Sequence, residues 1–285
     1  MSLKDGQFQI GDLKFGRGTN ISIVGVDQVG YDVSPGDYGL PQSDEIRFRK
    51  DYIQPGVMQF SLAVVDNYIL DGSYGIELPL EASADETIEK LKMEWSADKQ
   101  RLEWGSVKPL TYRGPGLTRV LYGRPRNFAS ERRKTRSGWY GVTCSYQLAD
   151  RLSYSEETTS EVMSVGEIKT ISRGSGLAPS WVSAILIGPA ISPVMQFGPH
   201  TVSVDTTIDA GEVLTLGSAP WQRFLLAYRS GGFVENVGAK AIDGSAYLED
   251  IRFPEKSEWN VGFSAGGTSS QTEMVVGWQE AYHAV

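Results

Sequence analysis

The 285-residue chain has one cysteine and two histidines, and no apolar run long enough for a bilayer. Each shortage excludes something. A single cysteine rules out an internal disulfide framework and a Cys-based zinc cluster. His200 lies in a Pro-His-Thr turn and His283 near the C-terminus, and neither has an HExxH-type spacing around it. A Ser–His–Asp triad would have to use one of these two. The nearest approach to a nucleophile elbow, DGSYG at 71–75, carries Asp71 where the first glycine belongs. GRGTNI (16–21) and GFSAGG (262–267) lack the GxGxxG pattern, and no GxxxxGK exists. No catalytic residue, cofactor or metal is therefore expected. The longest strongly apolar run, AILIGPAI at 184–191, falls far short of the ~20 residues a membrane helix needs. The opening MSLKDGQFQI has neither a basic nor an apolar leader region, so no signal peptide is expected. Positive charge is also scarce: 27 Lys and Arg against 35 Asp and Glu give a net charge of −8 and a pI near 5.0. A broad electrostatic footprint for nucleic acid is absent.

What is abundant points to strands. Glycine reaches 32 residues and aromatics 11%, with plentiful β-branched residues and few Ala- or Leu-rich stretches. Met58, Phe60, Leu62 and Val64 alternate with Gln59, Ser61, Ala63 and Val65, and Ile46 and Phe48 alternate with Arg47 and Arg49. In 139–148, Tyr140, Val142, Cys144, Tyr146 and Leu148 alternate with smaller or polar residues, which places Cys144 on the apolar face of a strand. Ahead of all of these, GYDVSPGDYGLPQSDE (30–45) has no periodicity and reads as a long excursion from the sheet.

One helix stands out, near 83–96. Ser83 and Glu86 have the capping-box spacing, and Ile88, Leu91 and Trp95 form one apolar stripe. After Leu152 the character changes: SYSEETTSE (153–161) is polar and SRGSGLAPS (172–180) is rich in Gly and Ser, so 153–180 reads as a connecting region. From Trp181 onward the pattern is purely β. Val202, Val204, Thr206 and Ile208 share a face, Tyr247, Ile251 and Phe253 another, and Asp243-Gly244 is the dipeptide of a type I′ hairpin turn. The expected layout is a domain at 1–152, a connection at 153–180 and a β-sandwich at 181–285.

Three kinds of side chain invite a functional reading. The carboxylate pairs Glu249/Asp250, Glu255/Glu258 and Asp205/Asp209 would suit glycoside hydrolysis only if two acids converged in a cleft. In a chain with 35 acids such pairs arise by chance. Trp181, Trp221 and Trp259 adjoin turns and are candidate platforms for sugar rings, with packing as the simpler reading. The third is a basic segment. RVLYGRPRNFASERRKTR (119–136) holds seven bases and one acid, +6 in all, which leaves −14 on the remainder. Strand alternation spreads these bases over both faces, and only Tyr122 and Phe128 are available for stacking, so nucleic acid is the weakest reading. A solvated hairpin is a stronger one. An acidic patch on a neighbouring copy or another protein is preferred, because the rest of the chain supplies that negative surface.

The order of features carries a resemblance. A capped helix bearing Trp95 is followed by VKPLTYRG (107–114), YGRPR (122–126) and RLSYS (151–155). Then come GLAPSWVSAILIGPAISPVMQF (176–197), IDAGEVLTL (208–216), YLEDIRFPEKSEWNVGF (247–263) and VVGWQEAYHAV (275–285). This succession resembles the distal tail (Dit-like, minor tail) proteins of long non-contractile-tailed bacteriophages, siphoviruses, especially those of actinobacteriophages. The resemblance implies a mainly β structural protein, not an enzyme. It would have a ring-forming N-terminal β-sandwich with one amphipathic helix and a C-terminal galectin-like β-sandwich. A homohexamer ring would sit at the distal end of the virion tail, after synthesis in the bacterial host cytoplasm. Its partners would be further copies of itself, the tail tube protein, the tail-tip hub protein and the tape measure protein. DNA would pass through the ring without specific binding, and no membrane is involved. Ring closure needs a patch that meets a different patch on the next copy. The residues expected there are Arg124, Arg126, Arg132, Arg133, Lys134 and Arg136 of the basic hairpin, with Tyr31 and Tyr38 of the excursion reaching across. The alternative is a carbohydrate-binding adsorption protein that recognises host-wall glycans through exposed Trp residues. The 105 residues from Trp181 leave no room for an inserted sugar-binding module.

Overall fold

The computed structural model describes residues 2–27, 32–35, 38–39, 46–47, 52–65, 83–132, 139–255 and 258–283. Two compact units meet in sequence at Ser153/Tyr154.

The first unit contains β1 (Gln7–Ile10), β2 (Leu13–Gly16), β3 (Ile21–Asp27), β4 (Asp32–Ser34), β5 (Tyr38–Gly39), β6 (Ile46–Arg47), β7 (Tyr52–Gln54) and β8 (Val57–Val65). Helices α1 (Ala84–Ser96) and α2 (Asp98–Leu102) follow, then β9 (Leu110–Gly114), β10 (Leu117–Leu121), β11 (Gly123–Arg132) and β12 (Trp139–Leu148). One sheet runs β11-β12-β8-β3 and another β2-β1-β9-β10, with antiparallel neighbours in both.

Helix α1 forms for the local reason expected. The Ser83 side chain accepts from the Glu86 N–H, and the Glu86 carboxylate accepts from the Ser83 N–H. Ile88, Leu91 and Trp95 are buried and face the sheet. Trp95 meets Phe60 edge-on at 5.9 Å and Phe15 at 6.3 Å, while its Nε1–H donates to the Ser145 carbonyl at 3.1 Å. The ring contacts fix geometry beyond simple burial, and the indole N–H finds the partner that a buried donor requires. Cys144 is buried in this core, as its place in the alternation implied.

The excursion is not a plain loop. Asp32 to Ser34 pair with Gln54 to Tyr52, and Tyr38 and Gly39 pair with Arg47 and Ile46. The two ladders follow the order of one long hairpin. Phe48 lies outside the described residues.

The second unit is built from β13 (Leu152–Ser164), β14 (Ile168–Ser172), β15 (Ser180–Ile187), β16 (Ala190–Phe197), β17 (His200–Ser203), β18 (Thr207–Ile208) and β19 (Val213–Gly217). It continues with β20 (Phe224–Tyr228), β21 (Val234–Asn236), β22 (Arg252–Phe253), β23 (Glu258–Gly266) and β24 (Glu273–His283). Within it, one sheet runs β13-β24-β15-β19-β20-β21 with β22 on β15, and the other runs β14-β23-β16-β17 with β18 on β16. Their inner faces share a core that includes Leu186, Phe197, Val204, Ile208, Leu214, Phe253 and Val276, the arrangement of a β-sandwich. Residues 153–180, read from the sequence as a connection, hold most of β13 and all of β14. Val202, Val204, Thr206 and Ile208 are all buried, as their alternation predicts. Tyr247 departs from its expected face: it stands exposed before a short 3₁₀ turn while Ile251 and Phe253 are buried. Asp243-Gly244 also differs. Ser245 N–H closes on the Ile242 carbonyl at 3.0 Å with positive φ only at Gly244, which is a type II turn and not type I′.

Candidate assembly interface

The basic segment starts in β10, which holds Arg119, and from Gly123 forms the outer strand of the four-stranded sheet. Gly123 opens β11 because a Cβ there would lie 2.1 Å from the Gln147 carbonyl oxygen, so only glycine permits this pairing. One extra residue sits between Pro125 and Phe128. Such a bulge shifts the alternation by one. Arg124 therefore stands opposite Gln147 and Arg132 opposite Tyr140, on opposite faces of the sheet.

Their environments differ. Arg124 is half-buried and spends its guanidinium on backbone: Nη2–H donates to the Glu103 carbonyl at 2.8 Å and Nε–H to the Ser106 carbonyl. Arg101 reaches back the other way, donating to the Ser96 carbonyl at 2.5 Å and to the carbonyls of Pro125 and Arg126 at 3.1 and 3.4 Å. Two guanidiniums thus bracket α2 and its following turn against β11, through hydrogen bonds strengthened by charge. Lys108 adds a third tie, to the Glu94 carboxylate at 2.5 Å and the Glu94 carbonyl at 2.6 Å. Tyr146, near the end of β12 and opposite Pro125, holds its hydroxyl 2.6 Å from the Lys108 carbonyl, and burial pushes its pKa well above the usual phenol value.

Arg126 and Arg132 are exposed. The Arg132 guanidinium lies 5.8 Å from the Tyr140 ring centre, and the Tyr140 hydroxyl donates to Asp85 at the start of α1. Of the other expected interface residues, Tyr38 belongs to β5, whereas Tyr31, Arg133, Lys134 and Arg136 lie outside the described residues. The structure thus brings Arg124 and Arg126 together beside α2 and sets Arg132 at the far end of the strand.

Sequence reasoning missed one group. Leu102 and Trp104 are 89% and 104% exposed, beside the two guanidiniums. An Arg-Leu-Glu-Trp-Gly run after a helix was the available signal.

The candidate sugar platforms are taken up in packing. Trp181 is buried with the Arg252 guanidinium 3.8 Å from its ring centre. Half-buried Trp259 meets Phe253 at 5.1 Å and His200 at 6.0 Å, and its Nε1 would lie 2.3 Å from a Cβ at Gly198. Half-buried Trp221 rests edge-on against Tyr154 at 5.7 Å. Among the carboxylate pairs, Glu249 is bound to Arg223 at 2.9 Å. Among the described residues no group of three or more His, Cys, Asp or Glu is placed to hold a metal. No helix among them is long and apolar enough to cross a membrane.

No protein-family model matches the sequence, and no curated protein matches it. Solved structures do match its fold. The Dit protein of phage SPP1, described as a paradigm of the hub adsorption apparatus in phages infecting Gram-positive bacteria, aligns with a TM-score of 0.56. The alignment covers 96% of this chain and 98% of that one at 11% identity. Chains of the phage P2 baseplate in its activated conformation align at TM-scores of 0.52 with Ca and 0.53 with Sr. Each covers 95% of this chain and 97% of the other, at 10% and 9% identity. The chain has the mainly β, Dit-like fold of these phage proteins. That likeness spans both units in chain order.

Proposed function

We propose that the protein is a structural component of a phage tail tip, a distal tail protein whose copies close into a ring between the tail tube and the host-adsorption apparatus. The observation that carries this reading is the end-to-end fold likeness to the SPP1 Dit protein, which covers nearly the whole of both chains. Because the similar structures are a phage hub adsorption protein and phage baseplate chains, the protein is read as non-catalytic.

The four-stranded sheet supplies a means of closure. Among the described residues β11 pairs only with β12, and β3 only with β8; Arg101 takes the carbonyls of Pro125 and Arg126, so the open part of the β11 edge lies beyond Arg126. Such edges invite pairing. With four alternating antiparallel strands the two edges run in opposite directions, so a copy added head to tail continues the alternation. The contact is heterologous, as a ring requires. Arg126 and Arg132 bring exposed positive charge to one edge, while the other carries Asp27. Arg133, Lys134 and Arg136 continue the basic run, and Tyr31 and Tyr38 belong to the excursion that would cross to the neighbour. Six copies, a central passage for DNA, and contacts with tube, hub and tape measure proteins follow from the same reading.

Native mass measurement tests it. A closed multiple of the chain mass, weakened by added salt and by Arg126→Glu with Arg132→Glu, is the expected result. A chain that stays monomeric at high concentration, both alone and with its tail tube protein, would overturn it.

A further inference from the structure

We infer that the outer face of the β24-β15-β19-β20-β21 sheet, bordered by β13, docks a second protein with an apolar centre and a basic border. The inference rests on the tail-tip reading for the place where that partner is met; the face itself is a property of the second unit.

A sandwich sheet buries one face and ordinarily turns polar residues to water on the other. The β14-β23-β16-β17 sheet follows this rule. Outward it carries Thr170 and Asn260, joined at 2.9 Å, Gln196 opposite Thr201, and Ser203 and Ser264 on either side of Val194. Its exposed apolar residues, Ile168 and Ile191, lie opposite Gly262 and Gly266 and do not adjoin.

The larger sheet breaks the rule. Its ladders put Ile187, Val213, Tyr228 and Val234 in one outward row, and Val275, Ile185, Thr215 and Leu226 in the next. The alternate residues Leu186, Leu214, Ala227 and Val276 fill the core, so these strands are apolar on both faces. Ile185, Tyr228 and Val234 remain 43%, 42% and 45% exposed. On β13, Val162 points away from core residue Met163 and is 45% exposed. Six strands at about 4.8 Å spacing make a band ~24 Å wide, and its two rows cover roughly 300 Å². A contiguous apolar patch of that size on a soluble chain marks a contact. It lies well below the ~800 Å² that each partner gives to a stable pair, so it serves as one anchor within a larger assembly.

Charge selects the occupant. The second unit holds 7 Lys and Arg against 15 Asp and Glu, the whole of the chain's −8, whereas the first unit balances 20 against 20. Glu273 stands opposite Ile187 in the band, and Glu156 and Glu157 are exposed along β13. Arg229, the residue after Tyr228, is bound by Glu212 and Glu235. The same face of a second copy would set these carboxylates against their own kind. Lipid or nucleic-acid phosphates would meet the same repulsion. A sugar needs convergent hydrogen-bonding groups, and these rows are mainly aliphatic. A protein surface with apolar anchors ringed by Lys and Arg satisfies both the band and its acidic border.

The test uses purified phage tails carrying the full chain with a benzophenone amino acid at position 228 or, as a control, at position 264 on the polar face. Irradiation is expected to join position 228 to a different tail protein, at a peptide holding apolar residues with Lys or Arg. Position 264 should give no such product. Tyr228→Ser combined with Val234→Thr should weaken binding of that purified partner by roughly 30-fold or more, the scale of a lost anchor. Both side chains lie outside the core, so the double variant should keep the wild-type circular dichroism and melting curve. A cross-link from position 228 to another copy, to lipid, nucleic acid or glycan, or to nothing would overturn the inference and leave the tail-tip reading standing. So would an equal product from position 264, or a double variant that binds like wild type. A chain absent from purified tails would overturn the tail-tip reading and the partner with it.

Discussion

In the second unit, Arg173 is buried and meets the Glu280 carboxylate at 3.0 Å, and Arg229 meets Glu212 and Glu235 at 3.0 and 2.7 Å. Beside β11 in the first unit, Arg101 and Arg124 instead donate to carbonyls, and Arg126 and Arg132 face solvent. A cation bound to a carboxylate is neutralised where it stands; one bound to carbonyls keeps its charge while its geometry is fixed. The sandwich therefore closes its charges on itself, and the β11 region holds positive charge in place at an open strand edge. Lys108, by contrast, pairs with the Glu94 carboxylate. Arg101 and Arg124 both act at the strand on which the proposed contact depends.

The sharpest way to break this contrast is at Arg173. Its Nη1 donates to the carbonyls of Ala178, Phe253 and Pro254 at 2.8, 3.1 and 3.2 Å, while Nε and Nη2 bind Glu280. Arg173→Ala would leave three carbonyls and a carboxylate without their donor. Loss of one member of a buried pair costs about 3–5 kcal/mol, so the denaturant midpoint of the second unit should fall by that equivalent. A loss below about 1 kcal/mol would mean that the pair is not closed as described.

A smaller effect is expected at Arg124. Arg124→Ala removes two charge-assisted bonds from a half-buried group, about 1–2 kcal/mol after solvent screening. Lysine should not rescue it, since one ammonium cannot span the carbonyls of Glu103 and Ser106 as a planar fork does. The informative readout is the split between stability and assembly. If holding α2 and its turn beside β11 matters for ring closure, Arg124→Lys should weaken assembly more than it lowers the melting temperature. Parallel losses would reduce Arg124 to a stabilising residue.

Acid should then act on the sandwich through Glu212. Backbone N–H groups of Asp209 and Ser230 and the Arg229 guanidinium favour its ionised form, and its pKa falls from 4.5 to about 2. The folded value lies below the unfolded one. Its contribution is thus complete above about pH 4.5 and is lost as pH falls towards 2. Glu235 shifts in the same direction, through Lys240 and Arg229. Glu212→Gln should flatten the stability–pH curve of the second unit in that window. An unchanged slope would count against the network.

What the sequence revealed divides along the same physical line. The capping box at Ser83 and Glu86 and the stripe of Ile88, Leu91 and Trp95 were legible because every partner lies within two helical turns. The burial of Phe60, Leu62 and Val64 was legible because β8 lies between two strands and has one covered face. β13 was not, because residues 156–162 are exposed in succession and leave no alternation to read. The excursion's ladders pair only two or three residues each, too few for a period. At the candidate interface the unusual charge of 119–136 was visible, but the division of labour within it was not. Arg124 meets carbonyls 18 and 21 residues away, and only the folded chain tells it from exposed Arg126.

The mildest test asks whether the first unit's core is as closed as its edge is open. Cys144 is 1% exposed on the inner face of β12, and burial pushes its thiol from 9.0 up to about 12. The thiolate is the reactive form, so at pH 8 both access and ionisation protect it. Labelling by a thiol reagent should be negligible in the native protein. In rising denaturant its rate should follow unfolding of the first unit, and Arg173→Ala should leave that rate unchanged. A wild-type rate near that of a free thiol would place Cys144 at a mobile surface. The four-stranded sheet would then lack the rigidity needed to present Arg126 and Asp27 at fixed positions on its two edges.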